Sequence, residues 1–381
     1  MSDYLGYFEQ NQGELLAFLT RMVEHESPTH DKAAVDRYGL FLSAAFGALG
    51  AEVETIPQER YGDHYRLTFD PPGGASEPEQ LTVLCHLDTV CAIGELARRP
   101  IRVEGERMYG PGIYDMKGGT ALVLFALRAL REAGLSPRRR VVVLLTGEEE
   151  IGSPTSRALI EEEARKSAVV LCVEPPVAPG GNLKTARKGV GRFTMTIAGR
   201  ASHAGAAHAE GINAITELAH QTLALAALTD YDLGTTVNVG LVRGGTRANV
   251  VPAEAHAEID LRVATVAEGE RVVPAILALA PVVPGATVRV TGGLNRPPME
   301  RTPAIGELFE RARTLGATFG YEVSEAATGG GSDGQFAAAL GIPTLDGLGI
   351  NGDGAHADHE HILTDTLAPR GALIAALLHT L

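Results

Sequence analysis

The sequence predicts an α/β protein with two domains: a mostly parallel sheet flanked by helices, and an inserted ferredoxin-like domain with the element order βαββαβ. Three observations lead to this fold class. Compact apolar segments alternate with segments whose apolar residues have helical spacing, which is typical of buried parallel strands and their helices. Between residues 191 and 298 polar and apolar positions alternate instead, as in a sheet with one exposed face. A chain of 381 residues with 45% hydrophobic content is also long enough for two cores.

The first domain is predicted to comprise residues 1–190 and 299–381. Its elements up to residue 190 are predicted as follows: helices at 15–23 and 33–49, a strand at 51–56, a buried strand at 81–85, a helix at 120–133, a buried strand at 141–145, a helix at 154–166 and a buried strand at 168–173. After residue 298 the same pattern resumes, with a helix at 303–320, a glycine-rich loop, a helix that ends at residue 340, a strand at 343–348 and a helix that begins at residue 369.

The inserted domain, residues 191–298, is predicted to form a split βαβ sandwich. Polar and apolar alternation predicts strands at 192–200, 235–243, 255–263 and 287–291, and helical spacing predicts helices at 211–228 and 268–280. This order of elements gives one helix-covered face and one exposed face of the sheet.

Composition narrows the classes of function. The formal net charge of −14 argues against a nucleic-acid partner, because phosphate binding needs clustered Lys and Arg. Three cysteines are too few for a disulfide framework and are expected to be reduced. No apolar segment has the length of a signal peptide core or a membrane span, so we expect a cytoplasmic protein without a membrane partner. Small molecules or peptides remain as ligands.

Potential metal ligands follow the three buried strands directly. His86 and Asp88 follow the first, a run of glutamates at 148–150 follows the second, and Glu174 follows the third. The carboxyl ends of parallel strands gather ligands at one edge of a sheet. Imidazole and carboxylate groups suit zinc or a similar divalent ion, and a bridging carboxylate permits two ions about 3.5 to 4 Å apart. For any single residue the alternative is an ordinary strand end or helix cap.

The glycine-rich segment GPGIYDMKGG at residues 110–119 carries one acid, Asp115. Its glycines let the backbone turn sharply and approach other groups closely, so that Asp115 can reach a crowded site as the bridge between two ions. The alternative is a surface turn whose Asp caps the following helix. A phosphate-binding loop is disfavoured because the segment lacks the Lys-Ser/Thr ending of a P-loop.

The motifs together resemble the family of di-zinc aminoacylases and carboxypeptidases, over nearly the whole chain. They are HLDTV, YGPGIYDMKGG, EEEIGS, the Glu-Pro pair at 174, ASHAGAAH with GINA, ANVVPA, TGGGSDG and GLGINGDGAH. Within the family they are most similar to the glutamate carboxypeptidases of the carboxypeptidase G type. The resemblance implies a zinc-peptidase catalytic domain, a lid and dimerisation domain at 191–298, and a homodimer.

The resemblance also implies a ligand set for two zinc ions per subunit, with cobalt or manganese accepted by the same ligands. The first ion would be held by His86, Asp115 and Glu174, and the second by Asp115, Glu150 and His356. Asp88 would orient His86 through the ring nitrogen opposite the metal. His359 and His361 remain alternatives to His356.

The remaining roles concern catalysis and substrate binding. In the family the paired acids precede a Gly-Ser by one residue, so the resemblance implies that Gly152-Ser153 sets the register and that Glu149 is the general base. The alternative is a slip of one residue. His203 of ASHAG would donate to the oxyanion from the partner subunit; otherwise it is an ordinary polar residue of the lid. The substrate carboxylate would be bound by three positions: Arg262, Asn249 and the backbone at Gly330. For Arg262 the alternative is a simple surface charge.

The sequence departs from the family pattern at three positions: His208 replaces a proline, Met116 follows the bridging acid, and Ala355 precedes His356. These changes leave the ligand set intact and the preference for glutamate or folate open. We therefore expect a hydrolase of N-acyl amino acids or small peptides with a free carboxylate. The alternatives are a deacylase or amidohydrolase with another substrate and a non-catalytic, metal-stabilised binding protein.

Overall fold

The computed structural model describes residues 3–381, which form two compact units. The first unit contains the described residues up to Ala186, with Arg301–Thr328 and Ser332–Leu381. The second unit contains Arg187–Glu300 and the three glycines Gly329–Gly331.

The elements of the first unit that precede the second unit contain most of the central sheet. The helices are α1 (Tyr4–Gln10), α2 (Gln12–Glu24), α3 (Lys32–Ala48), α4 (Glu95–Arg98), α5 (Gly118–Glu132) and α6 (Arg157–Arg165). The strands are β1 (Glu52–Ile56), β2 (His64–Phe69), β3 (Gln80–His86), β4 (Arg102–Glu104), β5 (Arg107–Tyr109), β6 (Val141–Thr146), β7 (Ser167–Cys172) and β8 (Leu183–Arg187).

The second unit and the return to the first unit follow in the chain. The second unit consists of β9 (Gly189–Ala198), α7 (Ala214–Ala226), β10 (Thr236–Gly244), β11 (Glu254–Val263), α8 (Val266–Leu277) and β12 (Thr287–Arg296). The first unit continues with α9 (Pro303–Ala317), β13 (Glu325–Thr328), α10 (Gly334–Ala339), β14 (Thr344–Leu345), β15 (Gly352–Asp353), β16 (His361–Leu363) and α11 (Leu367–Thr380).

The central sheet of the first unit has the strand order β1-β2-β6-β3-β7-β14. The pairs from β6 to β14 are parallel, whereas β1 and β2 add an antiparallel edge. Alternate residues of β3 face opposite sides: Val83 lies in the large core with α5 and α11, and Leu84 in a smaller core with α6 and α10. Both faces are covered, so the apolar strands are buried along their length and the predicted α/β class is confirmed.

The register of the parallel strands places their polar ends side by side. His86 at the end of β3 pairs with Thr146 at the end of β6, and Leu84 pairs with Cys172 at the end of β7. The chain leaves all three strands at this edge and continues into the acidic segments predicted above.

A small antiparallel sheet with the order β15-β16-β5-β4 was not predicted from the sequence. Its strands have only two or three residues, too few for a periodic pattern to be visible. The pairing of β5 with β16 brings together the segment after β5, which contains Asp115, and the segment before β16, which contains His356.

The second unit is an antiparallel sheet with the order β10-β11-β9-β12 and two helices, and its predicted βαββαβ order is confirmed. Residues of β11 alternate between buried and exposed positions, and the buried ones share a core with residues of α7 and α8. Strand β12 extends five residues beyond its predicted end at 291, through Gly292 and Gly293. Gly292 has φ of 130°, and a Cβ there would lie 2.2 Å from the carbonyl oxygen of Arg192.

Candidate metal centre

Asp115 lies between two imidazole rings at the carboxyl edge of the central sheet. Its Oδ1 is 3.2 Å from Nε2 of His86, and its Oδ2 is 3.3 Å from Nε2 of His356. The two oxygens of one carboxylate therefore face two different histidines, which is the arrangement that a carboxylate bridging two ions requires.

Three glutamates complete the cluster. Nε2 of His356 is 3.1 Å from Oε2 of Glu150, and Nε2 of His86 is 3.7 Å from Oε1 of Glu174. Two groups have potential ligand atoms that all lie within 4.8 Å of one another: His86 with Glu149 and Glu174, and His86 with Asp115 and Glu150. The structure thus brings together the five predicted ligands and Glu149, although it places Glu150 near both histidines.

The acidic turn after β6 is organised by Asp88. The backbone N–H of Glu149 donates to Oδ1 of Asp88 at 3.1 Å, that of Glu150 donates to Oδ2 at 3.2 Å, and the Thr29 hydroxyl donates to Oδ2 at 2.7 Å. Nδ1 of His86 is 2.9 Å from the main-chain oxygen of Asp88 and 3.5 Å from its carboxylate. Asp88 therefore orients His86 mainly through its carbonyl group, and its side chain positions the two glutamates.

The turn that carries Asp115 depends on small residues. Gly112 has φ of 69°, and the tight turn Ile113–Lys117 leads directly into α5. A Cβ on Gly119 would lie 2.0 Å from the carbonyl oxygen of Val173, because the start of α5 packs against the chain that leaves β7. The peptide bond between Asp115 and Met116 is cis.

Glu360 supports the same turn and was not predicted from the sequence. Its carboxylate, 2% exposed, accepts hydrogen bonds from the backbone N–H groups of Gly112 at 2.8 Å, Tyr114 at 3.0 Å and Asp115 at 3.1 Å. Burial raises the pKa of Glu360 to about 7, although the three N–H donors favour its charged form. In the sequence, the one feature that distinguishes Glu360 is its position between His359 and His361, two candidate ligands.

His356 lies on a loop with a left-handed backbone, φ 64°, and its side chain is 51% exposed. Neighbouring residues hold this loop: Arg98 forms a paired ion bridge with Asp358, with one N–O distance of 2.8 Å, and Arg99 donates to the carbonyl of Ala357 at 2.7 Å. The alternative ligand His361 instead points Nδ1 at the carbonyl of His359, at 2.8 Å, and lies against the ring of Tyr109.

The charges of the cluster are strongly coupled. Hydrogen bonds to Asp115 and Glu150 raise the pKa of His356 to about 11. Burial disfavours protonation of His86, but its bonds with Asp115 and Asp88 outweigh burial and raise its pKa well above the usual value. Burial alone would raise the pKa of Asp115, yet the two histidines hold it well below the usual range, whereas burial raises the pKa of Glu150.

The donor set fits divalent cations. Oε1 of Glu150 is buried and has no hydrogen-bond partner within residues 3–381, so one ligand oxygen of the cluster is unsatisfied by the protein. Carboxylates outnumber imidazoles, and their mutual repulsion at one edge of a sheet favours a bound positive charge. Imidazole and carboxylate ligands suit zinc and also cobalt or manganese.

The predicted oxyanion donor His203 and the three predicted substrate-binding positions lie in the second unit. Nδ1 of His203 accepts the backbone N–H groups of Gly205 at 3.1 Å and Ala206 at 3.0 Å, which places the ring proton of the neutral form on Nε2. Arg262 pairs with Asp260 through two hydrogen bonds of 2.8 and 3.0 Å and donates to the carbonyl of Gly329 at 3.1 Å. Arg262 is therefore held by a neighbour on its own strand and by the glycine loop.

Asn249 and Gly330 are exposed, and main-chain bonds fix both. The carbonyl of Asn249 accepts the N–H of Ala204 at 3.0 Å, which ties the ANVVPA segment to the His203 loop. The carbonyl of Gly330 accepts from Arg187 at 3.0 Å. Arg187, 3% exposed, was missed in the sequence because nothing distinguishes it there from a surface arginine.

No helix within the described residues 3–381 combines the length and the hydrophobicity that a membrane span requires.

A family model and a curated relative each match most of this chain. The sequence model of peptidase family M20/M25/M40 matches residues 83–380. Carboxypeptidase G2 of Pseudomonas sp. (strain RS-16) is 32% identical over 375 residues, which cover 96% of this chain and 89% of that protein.

Solved structures of low sequence identity share the fold. Aminopeptidase PepT of Bacillus cereus ATCC 10987 superposes with a TM-score of 0.78 at 22% identity, over 97% of this chain and 98% of that one. The YXEP protein of Bacillus subtilis, a dinuclear metal-binding peptidase, gives 0.68 at 16% identity, over 98% and 100% of the two chains.

Proposed function

The chain belongs to peptidase family M20/M25/M40, and from that premise we propose that it is a carboxypeptidase G-like metallohydrolase with two zinc ions per subunit. It would cleave the amide bond of N-acyl amino acids or of the C-terminal residue of small peptides. The observation that carries this proposal is the position of Asp115 between His86 and His356, with Glu149 in the same cluster. The dinuclear metal site of the YXEP relative supports two ions.

The proposed ligands are His86, Asp115 and Glu174 for one ion and Asp115, Glu150 and His356 for the other. When bound, such ions lower the pKa of a water molecule and polarise the substrate carbonyl. Asp88 keeps the ring of His86 oriented and holds the backbone of the two glutamates through the bonds described above.

Glu149 is the proposed general base. It accepts a proton from the attacking water as the water oxygen bonds to the carbonyl carbon. It then donates this proton to the amide nitrogen as the carbon–nitrogen bond breaks, so the base is regenerated. Glu149 is 8% exposed, which limits competing proton exchange with solvent.

The second unit is the proposed lid and dimerisation domain. His203 would donate its Nε2–H to the oxyanion in the active site of the partner subunit, and the tautomer fixed by Gly205 and Ala206 supports this role. Arg262, Asn249 and the backbone at Gly330 would bind the substrate carboxylate. After its bonds to Asp260 and Gly329, Arg262 retains one N–H on each terminal nitrogen for this purpose.

A panel of N-acyl amino acids and dipeptides, assayed with zinc, cobalt and manganese, tests the proposal. We expect the wild type to hydrolyse substrates with a free carboxylate and Glu149→Ala to lose about 10²- to 10⁴-fold in kcat. Glu162→Ala, at an exposed surface ion pair, is the control and should retain activity. Full activity in Glu149→Ala would reject the base. Absence of hydrolysis by metal-loaded wild type would favour the non-catalytic binding protein.

A further inference from the structure

Glu360 connects the two segments that carry Asp115 and His356. It follows His356 by four residues and immediately precedes β16, whose partner β5 leads into the turn of Asp115. Its main-chain carbonyl also accepts the N–H of Gly110 at 3.4 Å. Side chain and main chain of one residue therefore bind the start and the middle of the glycine-rich turn.

Both carboxylate oxygens of Glu360 are used within the turn. Oε2 accepts from Gly112, and Oε1 accepts from Tyr114 and Asp115. Three N–H groups so close in sequence point to one place only when the backbone is curled around an acceptor, as in an anion-binding nest. Gly112 and Tyr114 are buried, so water is a poor substitute for the carboxylate.

The direction of the Asp115 side chain depends on this backbone. Its N–H is one of the three donors, and its two carboxylate oxygens are the atoms that face His86 and His356. Asp115 does not itself have regular helical geometry, with φ of −115° and ψ of 99°, so helical hydrogen bonding does not fix it. The far end of the turn is held separately, by the ammonium group of Lys117, which donates to the carbonyls of Met22 and His25.

We propose that Glu360 is a positioning residue of the metal centre, which holds the backbone of the turn so that Asp115 bridges the sites at His86 and His356. This inference rests on the proposed function for the identity of the ligands. Its geometric part, the dependence of the turn on Glu360, does not require hydrolysis.

Glu360→Gln is the informative variant. The glutamine side chain has the same length but replaces one acceptor oxygen by an NH₂ group, which must face at least one of the three N–H donors. Substitution of residues that orient metal ligands lowers metal affinity by about 10- to 100-fold. We expect a loss of that size in Glu360→Gln, measured by competition with a chelator, and a changed absorption spectrum of the cobalt form.

Glu217→Gln is the matched control. Glu217 is also fully buried and its carboxylate accepts from the backbone N–H groups of Val282 and Val283, but it lies in the second unit. We expect Glu217→Gln to lower thermal stability and to leave metal affinity and the cobalt spectrum unchanged. If the two variants lowered metal affinity equally, Glu360 would contribute only to general stability, and the inference would be overturned.

Amide hydrogen exchange of the metal-free protein gives a second test. The amides of Gly112, Tyr114 and Asp115 should be protected in the wild type and exchange at least about tenfold faster in Glu360→Gln, with other peptides unchanged. Fast exchange of these amides in the wild type would overturn the inference even if the variant fails to fold. Failure of all hydrolysis with normal metal binding would instead refute the proposed function alone.

Discussion

His356 lies within ion-pair distance of two carboxylates, those of Asp115 and Glu150. These contacts raise the pKa of His356 to about 11, so when no ion is bound we expect the ring to be protonated at neutral pH and its ion pairs to contribute to stability. Because folding raises the pKa of His356, the stabilisation by its ion pairs is fully present below the pKa of the unfolded chain, about 6.5. It is lost as the pH rises through the folded-state pKa of about 11.

Metal binding should therefore release protons from the protein. A histidine ligand must be neutral, so an ion has to displace the proton of His356 and that of His86, whose pKa is also raised. We expect about one to two protons released near neutral pH, and tighter binding as the pH rises. Titration calorimetry in buffers with different ionisation enthalpies measures this number. Binding heats that do not depend on the buffer would show that the histidines are already neutral.

The adjacent residues Glu149 and Glu150 have different proposed roles, general base and metal ligand. Metal binding by variants of each residue distinguishes these roles. Glu150→Gln removes a proposed ligand whose Oε1 has no hydrogen-bond partner within the described chain, so metal affinity should fall by at least about 10-fold. Glu149→Gln should bind both ions and lose only catalysis. Equilibrium dialysis with metal analysis measures both stoichiometries, and the reverse result would indicate that the acidic run is slipped by one residue.

Asp115 was predicted from its glycine-rich turn and His356 from the family resemblance. The other members, His86, the glutamates at 148–150 and Glu174, share one signal, a ligand-type residue directly after an apolar strand. Glu360 and Thr29 lack that signal, since they act on main-chain or carboxylate atoms that are distant in sequence: Glu360 binds a turn about 245 residues away. Such contacts depend on tertiary packing, and a single sequence contains no pattern for them.

At the level of elements, the start of α5 is fitted closely to the end of β7. Gly119→Ala would place a Cβ 2.0 Å from the carbonyl oxygen of Val173, the residue before Glu174. We expect the helix to shift, with a loss of about 1 to 3 kcal/mol in the free energy of unfolding and weaker metal binding. Denaturant unfolding with and without metal measures both effects.

Gly13→Ala in α2 is the control for this substitution. Gly13 is the second residue of α2, as Gly119 is of α5, and a Cβ there has no neighbour within 4 Å. The same change should therefore stabilise the protein by about 0.4 to 1 kcal/mol. If Gly119→Ala were also stabilising, the close packing of α5 against the chain after β7 would be contradicted.

Strongly apolar elements were predicted well, and short or polar ones were not. The buried strands β3, β6 and β7 are apolar on both faces and were located within two residues of their observed ends. Strand β2, with His64 and Arg66 among its apolar residues, was missed. The antiparallel pairing of β2 with β6 depends on the partner rather than on a local pattern.

On the scale of the whole molecule, the two units differ from the predicted domains in one informative way. Alternation of residues placed the inserted domain at 191–298, and the structure extends the second unit to Arg187–Glu300 with Gly329–Gly331. The glycines join it because Arg187 and Arg262 donate to their carbonyls. A change in composition along the chain cannot predict such a contact, because the glycine loop has the same residue pattern as the first domain.

The proposed role of His203 in a partner's active site makes a prediction about mixed assemblies. Glu149→Ala and His203→Ala should each be inactive as pure proteins, the first without its base and the second without its oxyanion donor. In a mixed dimer, the subunit with an intact Glu149 would receive His203 from the other chain, so one of the two sites is complete. Random mixing of equal amounts makes about half of the dimers mixed, and about a quarter of wild-type activity should return.

If His203 served its own chain instead, no combination of the two variants would contain a complete site, and the mixture would remain inactive. Subunit exchange has to be verified first, for example by tagging one variant and purifying the mixed species. Refolding the two variants together provides the same test when exchange is slow. Recovered activity in the purified mixed dimer would support the lid acting between subunits, and its absence in a verified mixed dimer would reject that role for His203.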